Sequence, residues 1–169
     1  MSDEQQQGII IGDELTEENT FESAPVRYGF SMAGHHVLQD SDIPTQFSNQ
    51  YNIQPLPHSV NWFEGLVNQH NTLIPVYNCL KLGEHKKLNN DKNKQYLLTM
   101  QFDLDSAGLI IDGMPFPIMG ELNEVDSYNK IIPPEIQSSV TGVFKHDGNY
   151  WLELSFRELF LTLAGHKDY

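Results

Sequence analysis

Residues 56–78 read LPHSVNWFEGLVNQHNTLIPVYN. Two apolar-rich runs, Trp62–Asn68 and Thr72–Tyr77, flank a short polar turn at Gln69–Asn71. That is the pattern of a β-hairpin. Pro75 is confined to an edge or a bulge, because it has no amide hydrogen to give a ladder. Cys79–Leu82 follows as a short helical turn stopped at Gly83. Upstream, Val26–Met32 alternates apolar and polar residues, Gly34 marks a turn, and His36–Gln39 is the returning strand. Ile43–Phe47 reads as one helical turn or a bulged strand. Asn52–Ser59 carries two prolines and reads as an irregular crossing.

The second half repeats this style. Gln95–Phe102 is a strand, Asp103–Ser106 a turn, and Ala107–Ile111 a buried returning strand, with Pro115 and Pro117 breaking the chain beyond it. Ser139–Lys145 and Tyr150–Glu153 flank His146–Asn149, whose Asp147-Gly148 is a strong hairpin signal. In Leu154–Leu163 the apolar residues Phe156, Leu159, Phe160 and Leu163 recur at helical spacing. Ser155 with Glu158 makes a capping box there. Many short strands with one terminal helix predict a mainly β fold of small barrels, not a doubly wound sheet. No fixed-period repeat is visible. Leu66, Ile74, Leu98 and Leu109 are expected in a shared core.

The chain has 169 residues, enough for one domain or two small lobes around one core. Ten Lys and Arg against 23 Asp and Glu leave a net charge of −13. That balance argues against nucleic acid, which needs a basic footprint, and against an anionic membrane surface. No run is long and apolar enough to span a bilayer, no basic, signal-like start is visible, and the single Cys79 forbids an internal disulfide. A cytoplasmic location is the expectation. Residues 1–24 hold seven acids and no Lys or Arg, and read as a flexible acidic tail. Ile9–Ile11 is its exception, able to pair as a short strand. Glu84–Lys94 carries four of the ten basic residues and reads as an exposed loop between two halves. Residues 165–169 form a short C-terminal tail.

Signals for chemistry are poor. His35 and His36 lie near Asp40 and Asp42, but adjacent strand residues point to opposite faces and cannot share one ion. Asp103 and Asp105 are explained by a turn, and Cys79 beside Leu80 by burial as a small hydrophobe. Tyr28, Tyr51, Trp62, Phe63 and Trp151 suit core or rim positions. There is no metalloprotease, phosphate-loop or nucleophile-elbow motif. No catalytic residue, metal or cofactor is expected.

The 56–78 stretch resembles the central signature of CheW-like domains. Leu56-Pro57 is followed after a gap by Gly65-Leu66-Val67-Asn68-Gln69-His70-Asn71, then Pro75-Val76, and Leu82-Gly83 closes the short helix. The family's later elements are resembled by Gly108-Leu109-Ile110-Ile111-Asp112, by Gly142-Val143, and by Trp151-Leu152-Glu153-Leu154 with the helix to Leu163. The resemblance spans about residues 25–164. It implies two small five-stranded β-barrels sharing a core, the first about 35–85 and the second about 95–150, completed by the terminal segments. It also implies a non-catalytic adaptor that couples chemoreceptor cytoplasmic tips to a CheA-type histidine kinase. Chemotaxis and type IV pilus twitching motility are both settings for such an adaptor. A divergent small-barrel module with a single partner and no role in a signalling array is the alternative.

Two departures concern binding. His70-Asn71 stands where the family has Arg-Gly, and the family's acidic partner falls near the uncharged Thr45 or Gln46. Both ends of an ion pair are absent together. Asn71 keeps the turn feasible because Asn tolerates a left-handed conformation. The expected partner surface comprises Ile43, Phe47, Asn68, His70, Asn71 and Val76, around the Gly65–Val76 hairpin.

Overall fold

Three hairpins turn through two residues that both have positive φ: Ala33-Gly34, His70-Asn71 and Asp147-Gly148. Such turns match the right-handed twist of the flanking strands, so these local signals set strand register. The structure is a computed structural model that describes residues 26–83 and 94–165. Residues 1–25, including Ile9–Ile11, lie outside the described residues, as do 84–93 of the expected loop and 166–169.

The strands are β1 (Arg27–Met32), β2 (His35–Leu38), β3 (Thr45–Ser48), β4 (Ile53–Gln54), β5 (Phe63–Gln69), β6 (Thr72–Tyr77), β7 (Gln95–Phe102), β8 (Asp105–Ile118), β9 (Asn123–Glu124), β10 (Val140–His146) and β11 (Asn149–Leu154). A 3-10 turn covers Cys79–Lys81, and two α-helices, α1 (Pro134–Gln137) and α2 (Phe156–Leu163), complete the fold. The fold is mainly β. Of Ile43–Phe47 only Thr45–Phe47 lies in a strand, β3, with Ile43 and Pro44 before it, and the expected Asp103–Ser106 turn is tighter, since Phe102 already pairs with Asp105.

The ladder runs β4-β5-β6-β8-β1-β2-β11-β10-β9, and β7 joins β8 to β3. It forms two five-stranded lobes that share β8. In the first, β3 and β4 act as one bent strand, pairing with β7 at one end and β5 at the other. In the second, β8 pairs with β1, and the chain then bends into β9, which pairs with β10. Hydrogen bonding is interrupted at each corner, and the chain itself carries the round.

The pairing crosses the expected division into 35–85 and 95–150. β7 and the first half of β8 complete the first lobe, while β1 and β2 complete the second. The cause is two parallel contacts, Val76–Tyr77 with Gly108–Leu109 and Trp151–Leu152 with His36–Val37. Parallel neighbours need long crossovers, so sequence order and lobe membership part company.

β8 also continues through Pro115 and Pro117, which were expected to break it. The Tyr28 carbonyl accepts from Gln39 of the strand-end connection, so Tyr28 faces β2 and its neighbours Arg27 and Gly29 face β8. Their partners are Ile118 and Phe116. The prolines therefore point to the other side, where β7 has already ended opposite Asp112. They remove no ladder bond there and blunt an open edge.

A repeat hidden from residue identity lies in the backbone. The β5–β6 and β10–β11 hairpins have equal strand lengths and bulges that begin at Phe63/Gly65 and Val140/Gly142. Each ends in a helix capped by a side chain, Asn78 accepting from Leu80 and Ser155 from Glu158. The cap amides bond backward in the same way, Asn78 to Trp62 and Ser155 to Ser139, each at 2.8 Å.

The core has three parts. Val67, Val76, Leu97 and Ile110 fill the first lobe. Leu38, Ile118 and Trp151 fill the second. Between them lies a larger cluster that includes Phe30, Leu98, Leu109, Ile136, Leu152, Phe156 and Leu159. Of the expected shared residues, Leu98 and Leu109 lie in it and Ile74 is buried, but Leu66 is only half-buried, opposite Pro75. The apolar face of α2 packs as its spacing predicts.

Candidate protein-binding face

The β5–β6 hairpin projects from the first lobe. His70 (φ 50°) and Asn71 (φ 63°) form its tip, both exposed. A turn of this kind needs positive φ at both positions, which Asn adopts more readily than His. Asn68 is exposed and pairs across the hairpin with Leu73, itself 63% exposed. On β3, Phe47 is 49% exposed and lies against Tyr96. Ile43 is half-buried and packs against the shared core.

Val76 is a correction. It was expected on the partner surface, yet it is fully buried among Val67, Leu97 and Ile110. β6 pairs with β5 and β8, and at this end of it Val76 faces the first lobe's interior while Tyr77 packs in the shared core. Neither face reaches solvent at Val76.

Between β3 and the hairpin, the amide nitrogen of Gln69 donates to the side-chain oxygen of Gln46 at 2.7 Å. A neutral amide pair thus lies beside positions 70 and 45 or 46, where the resemblance implies that an ion pair is missing. His70 makes no hydrogen bond among the described residues, and the Thr45 hydroxyl accepts from Gln39 at 2.6 Å. The amide pair is not evident in the sequence because it is one residue off the motif's Arg position. Only the bent path of β3 brings Gln46 beside Gln69.

The surroundings carry little charge. From Ile43 to Tyr77, Glu64 is the only Asp, Glu, Lys or Arg. It is engaged by Lys81 at 2.8 Å and by the Asn78 amide at 2.9 Å. That stretch therefore offers hydrogen bonds and apolar contact, not ion pairs.

The contacts of the remaining candidates are structural. His35 is buried and shares a hydrogen bond with the Tyr128 hydroxyl. His36 lies on the opposite face, bonded to Ser31 and stacked on Trp151. Asp40 accepts from the Asp42 amide in a local turn. Among the described residues no three His, Cys, Asp or Glu side chains are grouped to hold a metal ion. Burial pushes the Cys79 thiol up to about 12, with Glu135 adding to the shift, so it holds its proton at neutral pH. No helix among the described residues is long and apolar enough to cross a membrane.

No family model matches the chain. It is 21% identical over 156 residues to Chemotaxis protein CheW of Treponema pallidum (strain Nichols), which covers 90% of this chain and 86% of that protein. Its fold matches the crystal structure of the scaffolding protein TtCheW from Thermoanaerobacter tengcongensis with a TM-score of 0.62. That match has 21% identity and covers 80% of this chain and 86% of the other. The structural likeness shows a CheW-like fold in the described residues, and with the relative's similarity and the order of motifs it supports a CheW-like domain.

Proposed function

We propose that this protein is a non-catalytic cytoplasmic adaptor that couples chemoreceptor cytoplasmic tips to the regulatory domain of a CheA-type histidine kinase. The observation that carries the reading is the exposed first-lobe face. There Phe47, Asn68, His70 and Asn71 surround a hairpin on a domain of CheW-like fold. Exposed aromatic and amide groups beside a rigid turn are suited to contact with a protein. Chemotaxis and pilus-driven twitching motility are alternative settings of the same adaptor role.

The neutral Gln46–Gln69 pair favours a second reading, a divergent binding module with one partner and no place in a receptor array. One experiment addresses both. Immobilised protein is offered the regulatory domain of a CheA-type kinase and a receptor tip fragment from the same genome. The adaptor reading expects both to bind, with Phe47→Glu and His70→Glu each weakening kinase binding about tenfold or more while circular dichroism stays native. Capture of one alone supports the single-partner module, and capture of neither overturns the adaptor reading.

A further inference from the structure

Behind the hairpin tip, the first lobe opens into a cavity of about 420 Å³. Gln46, Gln69, Thr72, Thr99, Gln101 and Ser106 line it, and they come from β3, β5, β6, β7 and β8. None of its lining residues is Asp, Glu, Lys or Arg, in a chain where those types make up 20%. Ile74 and Thr99, 3% and 6% exposed, form its depth. Gln46, Thr72 and Gln101 at the mouth are exposed, so only a group that reaches Ile74 and Thr99 sheds its water, and there the bonds it makes or leaves unmade carry weight.

The polar capacity of this mouth is only partly used. The Gln46–Gln69 bond consumes one carbonyl and one amide hydrogen. One NH2 group, on Gln46, and one carbonyl, on Gln69, have no other side-chain bond among the described residues. Exchanging the oxygen and nitrogen of both amides still leaves one of each. The side chains of Thr72, Gln101 and Ser106 likewise have no hydrogen bond among the described residues.

We propose that this mouth seats a neutral carboxamide, the side chain of an Asn or Gln presented by the protein partner. A carboxamide holds one carbonyl and one NH2 in a fixed plane. It accepts from the free NH2 of the amide pair and donates to the free carbonyl, joining the pair as a third member. A carboxylate at the same place has no hydrogen to give and sets its charge against that carbonyl. An ammonium group meets no anion in the lining. A free amino acid brings two charges to a lining that has no Asp, Glu, Lys or Arg and holds His70 as its one histidine, so a neutral side chain on a polypeptide matches the lining better. This inference rests on the reading that the first-lobe face binds a protein.

The test uses the full chain, labelled with nitrogen-15 and titrated with N-acetyl-glutamine methylamide. N-acetyl-glutamate methylamide and glucose are the comparators. The expected result is a saturable shift of the Gln46, Gln69, Thr72 and Thr99 signals by the blocked glutamine, at a Kd of about 1–10 mM. The response to the other two compounds should be at least tenfold weaker. Gln46→Met and Gln69→Met keep side-chain length but remove the amides, and each should abolish the response while the remaining spectrum stays dispersed. No saturable shift, or equal response to all three compounds, overturns the proposal. Kinase regulatory-domain binding, measured in parallel, separates the two readings. If that domain binds and blocked glutamine does not, only the carboxamide pocket falls. If blocked glutamine binds and no kinase domain does, the adaptor reading falls and the pocket stands. If Gln69→Met loses blocked glutamine but keeps full kinase affinity, the assignment of the carboxamide to that partner is overturned.

Discussion

The indole N–H of Trp62 donates to the backbone carbonyl of Leu163 across 2.9 Å. This bond ties the entry of the first-lobe hairpin to the last turn of α2, a helix that follows the second lobe's hairpin. Helix C-termini leave carbonyls without intrahelical partners, and one of them is satisfied here by a side chain from the other lobe. Trp62→Phe keeps most of the apolar contact with the shared core but removes the donor. The expected cost is about 1–2 kcal/mol, a fall in Tm of roughly 3–6 °C for a chain this size. An unchanged Tm in a thermal melt would show that the lobes are held by burial alone.

The two bulge glycines occupy equivalent places in the hidden repeat, yet they should not tolerate substitution equally. At Gly65 φ is +134°, and an added Cβ would lie 2.2 Å from the backbone oxygen of Gln54. Backbone cannot swing aside as a side chain can, so β4 must leave β5. At Gly142 the nearest atoms belong to the Phe144 and Glu153 side chains, at 3.0 and 3.2 Å, and φ is not positive. Gly65→Ala should cost about 3 kcal/mol or more, through strain and lost packing of the corner. Gly142→Ala should cost about 1 kcal/mol or less. Chemical denaturation of the two variants checks the ordering, and equal midpoints would contradict the β4–β5 approach.

The legible parts of this fold are those with local chemistry. Asp147-Gly148 announces its turn, and Ser155 with Glu158 announces the start of α2, because both signals act within four residues. The exchange of hairpins between lobes was not legible. It depends on the parallel pairing of Val76 with Gly108 and of Trp151 with His36, and no short-range pattern encodes either contact. Val76 was misplaced for a related reason. In β6 every position from Leu73 to Tyr77 is apolar, proline or aromatic, so no polar alternation separates the exposed Leu73 from the buried Ile74 and Val76. Pro115 and Pro117 read as breakers because the sequence does not tell which edge their nitrogens face. At the candidate site the hairpin turn that exposes His70 and Asn71 was readable from the sequence, whereas Phe47 lies on β3, whose segment read equally as a helical turn. The Gln46–Gln69 bond was not readable, since it spans strands distant in sequence.

His36 gives the fold a pH dependence of definite sign. Burial, with Lys130 adding to it, holds its pKa below the usual histidine value of 6.5. The unfolded chain therefore takes up a proton at a higher pH than the folded one. Stability from this group is fully present above about pH 6.5, falls as pH drops below it, and levels off once the folded-state pKa is passed. His36→Gln removes the titration and can keep a hydrogen bond to Ser31. Melting curves between about pH 7.5 and 5, spanning the ordinary histidine range, should show a shallower loss of Tm in the variant than in the wild type. Parallel curves would mean that His36 is as easily protonated folded as unfolded.

Restoring the family's arginine tests the neutral character of the binding face. His70 stands at the hairpin tip with no hydrogen bond among the described residues, and its nearest polar neighbours along the mouth are amides and hydroxyls. Glu64, the one carboxylate between Ile43 and Tyr77, is already held by Lys81 and Asn78. A guanidinium placed at position 70 thus finds no free anion within Ile43–Tyr77; of the β7–β8 turn's carboxylates, Asp103 is held by Arg157 at 3.2 Å and Asp105 is exposed. His70→Arg should change stability by no more than about 0.5 kcal/mol, the usual range for an exposed site. Its effect on binding, compared with an Asp105→Asn background to remove the exposed carboxylate of β8, then reports on the partner. If recognition proceeds through neutral groups, kinase-domain affinity stays level or falls, and wild-type affinity varies little between low and high salt because no ion pair is there to be screened. If the partner instead keeps an acidic group facing this position, His70→Arg raises affinity. Each tenfold gain corresponds to about 1.4 kcal/mol, and the gain shrinks as salt is added. Calorimetric titrations of both proteins at two salt concentrations decide between these outcomes. A salt-sensitive gain would show that the ion-pairing mode survives on the partner's side and that only this chain's half of it has been replaced.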